Sequence, residues 1–271
     1  MKLGILGTGN MAEALIAGLL AKKTLKRSAI TGFDVDRKRA SFIRKRYRIG
    51  IADSAASVVK KSNTLLLAVK PRQIGDLLRE IAPIVSRRHL VISIAAGIDT
   101  KFLKKSLGVK ARIVRVMPNT PALVGVGASA YFLSRACGPS DRSRVKTLLG
   151  SVGLAIEVSN ETLLDAVTGL SGSGPAFVYL FLDGLIEGGK RSGLSERVAR
   201  DFATQTVLGA ATLFEKSGLK PAELIAKVAS KGGTTEAGLL FLKKRRFRET
   251  AVQCVTAATR KAKELRRLIN V

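Results

Sequence analysis

The chain is poor in the residues that build metal centres, disulfide frameworks and aromatic binding platforms. Its 271 residues include no tryptophan, one histidine and two cysteines, and 5% of them are aromatic. Two cysteines without C-x-x-C spacing exclude a disulfide scaffold and a thiolate metal site, and they favour a reducing compartment. The single histidine, His89, precedes an apolar run, where a structural role is the usual one. The sequence therefore predicts no metal centre.

Long hydrophobic runs and acidic residues are also scarce. No uninterrupted apolar run reaches the roughly 18 residues of a membrane span, and the first residues resemble a strand and turn, not a signal peptide. We therefore expect a cytoplasmic protein. Only 20 residues are acidic against 47 lysines and arginines, which gives a formal net charge of +27. Such a charge attracts anions, including nucleic acid, acidic lipid and phosphorylated cofactors.

A glycine turn between a strand and a helix opens the chain. Leu3–Leu6 is apolar, residues 7–12 read Gly-Thr-Gly-Asn-Met-Ala, and apolar residues then recur at helical spacing. In this context the G-x-G-x-x-[GA] pattern predicts dinucleotide binding. Gly7 permits the turn, Gly9 lets the backbone approach a pyrophosphate, and Ala12 allows close packing of helix and strand. The helix start offers N–H groups and a positive dipole end to the phosphates.

Apolar strands alternate with helical segments through the first part of the chain. Further strands are predicted at residues 29–33, 64–69, 90–94 and 113–116. This alternation predicts an α/β fold that begins with a Rossmann-type doubly wound parallel sheet, with helices on both faces. We assign residues 1–159 to this dinucleotide-binding domain.

The character of the sequence changes near residue 160. Helical periodicity without a strand pattern covers residues 175–189, 195–216, 221–229 and 248–268. A helical region this apolar is expected to bury part of its surface against a partner. Residues 160–271 are therefore predicted to form an all-helical domain for substrate binding and dimerisation.

The expected ligand site lies beyond the carboxyl ends of the strands. Asp34 comes 22 positions after Ala12, close to the spacing of a carboxylate that binds the 2′-OH of NAD. Arg37 and Lys38, just beyond it, suit the 2′-phosphate of NADP instead. The residues alone leave the choice between NADP and NAD open.

Two loops of small residues are predicted in the helical half. Residues 170–176 lead into a helix with Pro175 as its first residue. Residues 230–235 precede another helix, with Thr234 or Thr235 near its cap. Loops of this kind present N–H groups and hydroxyls to a carboxylate.

Six blocks of sequence then carry a specific resemblance. They lie at residues 7–12, 67–71, 95–97, 117–121, 165–176 and 232–235. In this order, and across the whole chain, they resemble the pyrroline-5-carboxylate reductase family. The block at 165–176, Asp-Ala-Val-Thr-Gly-Leu-Ser-Gly-Ser-Gly-Pro-Ala, is the most specific of them.

The resemblance implies an oxidoreductase that reduces the cyclic imine 1-pyrroline-5-carboxylate to L-proline, the last step of proline biosynthesis. It implies NADP as the cofactor, with NAD as the alternative, and a homodimer or a larger ring of dimers. The implied cofactor-binding residues are Gly7, Thr8, Gly9, Asn10, Met11, Asp34, Asp36, Val69, Lys70, Pro71, Ala95 and Gly97. The implied substrate-binding residues are Glu161, Ser230, Gly233, Thr234 and Thr235. Among them Thr235 is the expected catalytic hydroxyl, which would donate a hydrogen bond to the ring nitrogen.

Three positions depart from the family pattern. Lys231 replaces a proline of the substrate loop, and Lys227 stands where asparagine is common. Both lysines add positive charge near the expected site of an anionic substrate. Ala55 stands where the family commonly has an asparagine on the ribose.

Two other functions compete with this interpretation. One is a basic protein that binds nucleic acid or a membrane surface on a reductase scaffold, although no such specific partner is expected. The other is a different small imine reductase or β-hydroxyacid reductase. Enzymes of the latter group rely on a lysine in a long helix, and the helix predicted from Pro175 has none before Lys190.

Overall fold

The computed structural model describes residues 1–108 and 111–269. The chain divides into two compact units. The first comprises Met1–Ser173 together with Ala257–Val271, and the second comprises Gly174–Thr256.

The described residues of the first unit contain one sheet of eight strands. The strands are β1 (Leu3–Leu6), β2 (Ile30–Phe33), β3 (Gly50–Ile51), β4 (Thr64–Leu67), β5 (Leu90–Ser93), β6 (Arg112–Met117), β7 (Gly127–Leu133) and β8 (Gly153–Glu157). Their order is β3-β2-β1-β4-β5-β6-β7-β8. All neighbours are parallel except β6 and β7, which are antiparallel. The predicted α/β fold is confirmed, and β3, β7 and β8 extend the sheet beyond the predicted strands.

Helices cover both faces of this sheet. They are α1 (Asn10–Ala21), α2 (Arg37–Tyr47), α3 (Ala55–Lys61), α4 (Ile74–Ile81), α5 (Thr100–Leu107), α6 (Pro139–Gly150) and α7 (Leu163–Val167). Successive residues of β4 point to opposite faces, so Leu66 joins the core under α1 and α6 while Leu65 and Leu67 join the core under α3, α4 and α5. Both faces are therefore apolar, as expected for strands buried on two sides.

The second unit is helical, as predicted. Its helices are α8 (Gly174–Arg191), α9 (Glu196–Ser217), α10 (Pro221–Val228), α11 (Thr234–Lys244) and the first part of α12 (Phe247–Ile269), whose end belongs to the first unit. Ser195 caps α9 by accepting a hydrogen bond from the N–H of Val198. Among the described residues of this unit, only Ala199 and Ala203 are buried hydrophobic side chains.

The loop predicted at residues 170–176 is wrong. Residues Thr168–Gly172 form a π-helical turn, and α8 begins at Gly174, before Pro175. The hydroxyls of Thr168 and Ser171 donate to carbonyl oxygens four residues earlier, so these small polar residues are accommodated within a helix. By length and composition alone, the segment Leu163–Arg191 could cross a membrane.

The first unit extends past the predicted boundary at residue 159. Glu161 and Asp165 form ion pairs with Arg115 of β6, which holds the start of the helical region against the sheet. The compact unit consequently reaches Ser173. The assignment of residues 1–159 and 160–271 to two functional domains remains a prediction.

Candidate active site

The glycine turn brings the ends of β1, β2 and β4 together. Gly7 has φ +91°, a conformation that favours glycine, and its N–H donates to the carbonyl of Phe33 at 2.9 Å. A Cβ on Gly7 would lie 2.8 Å from the carbonyl oxygen of Ala68. The turn thus requires glycine for both its conformation and its close approach to the chain after β4.

The start of α1 fits the pyrophosphate of a dinucleotide. Gly9 is the N-cap residue, and among the described residues no side chain caps this helix. A Cβ built on Gly9 would meet no atom within 4 Å, so the backbone here is open to a ligand. An uncapped helix start with open space before it is the arrangement that binds phosphate groups.

A cavity of about 510 Å³ lies at the ends of these strands. Of the predicted cofactor residues, its lining includes Gly7, Gly9, Asp34, Asp36, Val69 and Lys70. The other predicted residues, Thr8, Asn10, Met11, Pro71, Ala95 and Gly97, are not part of that lining. The sequence did not indicate four lining residues that lie just before α4 or along it, namely Gln73, Asp76, Leu77 and Glu80. The position of α4 directly after the end of β4 is the signal that could have found them.

The two aspartates after β2 bind the backbone of the protein itself. The Asp34 carboxylate accepts hydrogen bonds from the N–H and the hydroxyl of Thr8 at 2.6 and 2.9 Å, and from the N–H of Asp36 at 3.0 Å. Asp36 is the N-cap of α2 and accepts from the N–H groups of Lys38 and Arg39. Contact of either carboxylate with a ribose remains a prediction.

Glu161 belongs to a largely buried charge network in the first unit. Its carboxylate accepts hydrogen bonds from the N–H and hydroxyl of Thr100 at 2.8 and 2.5 Å, and from Arg115 at 3.3 Å. Arg115 lies 3.6 Å from Asp165, whose other oxygen accepts from Arg266 at 2.9 Å. The side chains of Arg115 and Asp165 are only 5% and 1% exposed. The predicted role of Glu161 in substrate binding would add to this structural one.

The predicted substrate loop lies in the second unit. Gly232 has φ +73°, and its N–H donates to the carboxylate of Glu236 at 2.7 Å. The N–H of Gly233 donates to the carbonyl of Ser230 at 3.1 Å. Helix α11 begins at Thr234, and Thr235 in its first turn is half-buried.

His89 is a structural residue of the first unit. Its side chain is fully buried, with Nδ1 accepting from the N–H of Ser86 at 2.9 Å and Nε2 lying 3.2 Å from the carbonyl of Val59. Burial lowers the pKa of His89, which favours the neutral ring. Among the described residues, no group of three or more His, Cys, Asp or Glu could hold a metal ion.

The sheet, its glycine turn and the uncapped start of α1 define a protein of the Rossmann-type dinucleotide-binding class, here joined to a helical region. Residues 2–97 match the family model "NADP oxidoreductase coenzyme F420-dependent", and residues 161–265 match "Pyrroline-5-carboxylate reductase dimerisation". The pyrroline-5-carboxylate reductase of Synechocystis sp. is 40% identical over 265 residues, with 98% of each chain covered. The chain belongs to the pyrroline-5-carboxylate reductase family.

Solved structures agree with this assignment. A pyrroline-5-carboxylate reductase from Coxiella burnetii superposes with a TM-score of 0.92 at 33% identity, covering 97% of this chain and 98% of the other. The pyrroline carboxylate reductase of Plasmodium falciparum, solved with NADP bound, gives a TM-score of 0.88 at 32% identity and covers 98% of both chains.

Proposed function

We propose that the chain is a pyrroline-5-carboxylate reductase that transfers a hydride from NADPH to the carbon of the C=N bond of 1-pyrroline-5-carboxylate, while the ring nitrogen carries a proton from the solvent, and gives L-proline. The observation that carries the proposal is 40% identity to a reductase of this name over nearly the whole of both chains. The open, uncapped start of α1 beside the cavity supports the dinucleotide part of the reaction independently.

The cofactor-binding part is assigned to the first unit. The backbone around Gly7 and Gly9 and the first turn of α1 hold the pyrophosphate, while Val69, Lys70, Pro71, Ala95 and Gly97 line the nicotinamide side. When bound, NADPH supplies the hydride. The protein's contribution is to bind the cofactor, orient it and exclude water. NAD is the alternative cofactor.

The substrate-binding part is assigned to the loop before α11, together with Glu161. Thr235 donates a hydrogen bond to the ring nitrogen, and the backbone N–H groups from Gly233 to Thr235 hold the substrate carboxylate. Of these, the N–H of Gly233 has to exchange its bond to the carbonyl of Ser230 for one to the substrate. Ser230 is a further polar residue of this loop. Lys227 and Lys231 raise the positive potential there, which favours an anionic substrate.

The assembly and location follow from the same assignment. The match to a dimerisation model over residues 161–265 supports a homodimer, and dimers could assemble further into a ring. We place the protein in the cytoplasm and expect no specific nucleic-acid or membrane partner despite the charge of +27. Retention on DNA that disappears as salt rises to physiological strength would show that this charge acts only non-specifically.

The test of the proposed function is a stoichiometric one. Purified protein is mixed with 1-pyrroline-5-carboxylate and NADPH, and both NADPH oxidation and L-proline are measured. One proline formed per NADPH oxidised is expected. NADPH oxidation without proline, or no oxidation with either NADPH or NADH, would refute the proposal.

A further inference from the structure

Thr8, the residue between Gly7 and Gly9, forms hydrogen bonds through its backbone N–H, its hydroxyl and its backbone carbonyl. Thr8 is fully buried, and Asp34 accepts hydrogen bonds from its N–H and its hydroxyl. On the other side, Nε of Arg39 donates to its carbonyl oxygen at 2.7 Å. Residues 7–9 form the pyrophosphate loop of the proposed cofactor site. Asp34 therefore couples the conformation of this loop to the end of β2, and Arg39 couples it to α2.

Arg39 makes a second contact at the other end of its guanidinium. Its Nη2 donates to the Glu13 carboxylate of α1 at 2.5 Å, while Tyr47 donates to the second Glu13 oxygen at 2.8 Å. The guanidinium also lies over the ring of Phe42, 5.2 Å from its centre. One planar side chain thus bridges the loop carbonyl and the helix carboxylate, a geometry that suits arginine and not lysine.

The negative charge of Glu13 connects this bridge to the binding of a diphosphate. Glu13 lies in the first turn of α1, the same turn that is open to an anionic ligand. Burial opposes its ionisation, but the hydrogen bonds from Tyr47 and Arg39 outweigh burial and hold the pKa of Glu13 below its usual value. Glu13 is consequently ionised at neutral pH. Its other cationic neighbour, Arg46, lies 3.5 Å away with a side chain that is 59% exposed, so without Arg39 the charge of Glu13 is only weakly compensated and would repel a bound diphosphate.

We propose that Arg39 is a positioning residue for the cofactor, which fixes the Thr8 peptide in the pyrophosphate loop and neutralises Glu13 beside it. The inference rests on the proposed function only in taking a dinucleotide as the ligand. The proposed role of Arg39 does not distinguish NADPH from NADH. Because NADPH and NADH share the pyrophosphate, loss of Arg39 should weaken both cofactors equally, whereas loss of a residue on the 2′-phosphate would weaken NADPH alone.

The test measures equilibrium binding of NADPH and NADH by titration calorimetry. Arg39→Ala should raise both dissociation constants about 10-fold or more, since it removes a charge-assisted hydrogen bond and leaves the Glu13 carboxylate with only Tyr47 and the exposed Arg46 as partners. The ratio of the two constants should change less than about 2-fold, because both cofactors carry the same pyrophosphate. The kcat at saturating NADPH should also change less than about 2-fold, because the lost contact concerns cofactor binding and not hydride transfer. Arg39→Lys should recover only part of the affinity.

Two further variants isolate the cause. Arg44→Ala removes the same charge from the exposed face of α2 and should leave both dissociation constants within about 2-fold of the wild type. Glu13→Gln combined with Arg39→Ala should bind NADPH more tightly than Arg39→Ala alone, because the negative charge that Arg39 no longer neutralises is gone. If Arg39→Ala does not fold, Arg39→Gln takes its place with the same expectations.

Three results would overturn the inference: equal constants for Arg39→Ala and Arg44→Ala, weakening of NADPH alone, or no improvement in the double variant. These results are distinct from a failure of the proposed function. If the wild type binds NADPH in an Arg39-dependent manner but forms no proline, the inference stands and the assigned reaction falls.

Discussion

The two units of the chain bury their hydrophobic side chains to very different extents. In the first unit, both faces of the sheet carry continuous apolar cores. In the second unit, Leu180 on α8 and Phe202 on α9 are 73% and 66% exposed. A helical region this apolar would expose a large patch as a monomer. The first unit therefore has the core of an independent fold, whereas the second is completed by a second copy through the dimerisation region.

A charge placed on the exposed face of α8 should have the largest effect on association of the second unit. Leu180→Glu should raise the dimer dissociation constant about 1,000-fold or more, because a carboxylate would be buried in an apolar interface. Sedimentation across a dilution series measures the constant. Leu154→Glu on β8, a position that is 58% exposed in the first unit, is the matched control and should remain dimeric. Dissociation of both variants alike would remove the distinction between the two units.

Breaking the buried charge network should lower the stability of the first unit. Arg115→Ala leaves Glu161 and Asp165 without their shared partner, and loss of one member of a buried ion pair costs about 3–5 kcal/mol. Arg142→Ala removes a more exposed pair with Glu157 and should cost less than about 1 kcal/mol. Urea unfolding of both variants gives the two values. Similar costs would show that burial of the network adds nothing.

Removal of the Thr235 hydroxyl in the second unit should impair imine reduction without weakening the binding of NADPH to the first unit. Thr235→Ala should lower kcat for imine reduction about 100-fold, as expected for loss of a positioned donor, while the dissociation constant of NADPH stays unchanged. Thr235→Ser keeps the hydroxyl and should retain most of the activity. An unchanged kcat/KM in Thr235→Ala would exclude Thr235 from the reaction.

Acidification should destabilise the first unit slightly through His89. Its pKa is lowered by burial, so the unfolded chain binds the proton more readily and stability falls as pH drops below about 6.5. Relative to His89→Gln, the wild type should lose about 2–4 °C more in Tm between pH 7.5 and pH 5.5, an effect of about 1 kcal/mol. Parallel Tm curves for the two proteins would show that His89 does not titrate in this range.

Local sequence patterns predicted the elements that pack through apolar faces. Residues 64–69 and 90–94 were expected as strands, and β4 and β5 lie there. The strand β8 was missed although Leu154 and Ile156 are apolar, because it begins at Gly153 and glycine usually indicates a turn. The π-helical turn was missed because glycine and serine usually indicate a loop.

The polar contacts of the candidate site were harder to predict. The spacing of Asp34 indicated a ribose ligand, yet its nearest partner is Thr8, 26 positions earlier in the chain. Arg115 and Glu161 are 46 positions apart, and their contact depends on the packing of α7 against the sheet. Such pairs follow from tertiary structure, which periodicity and spacing do not encode. The N-cap role of Asp36, in contrast, could be predicted from an aspartate just before a helical pattern.

A second copy of the chain is expected to cover the exposed apolar side chains of the helical unit. Sedimentation equilibrium at moderate salt, where repulsion between the +27 charges is screened, tests it most directly when reductase activity is measured on the same samples. We expect an active species of twice the 28.9 kDa chain mass or a multiple of that dimer, and loss of activity on dilution to monomer. A fully active monomer of 28.9 kDa would contradict it.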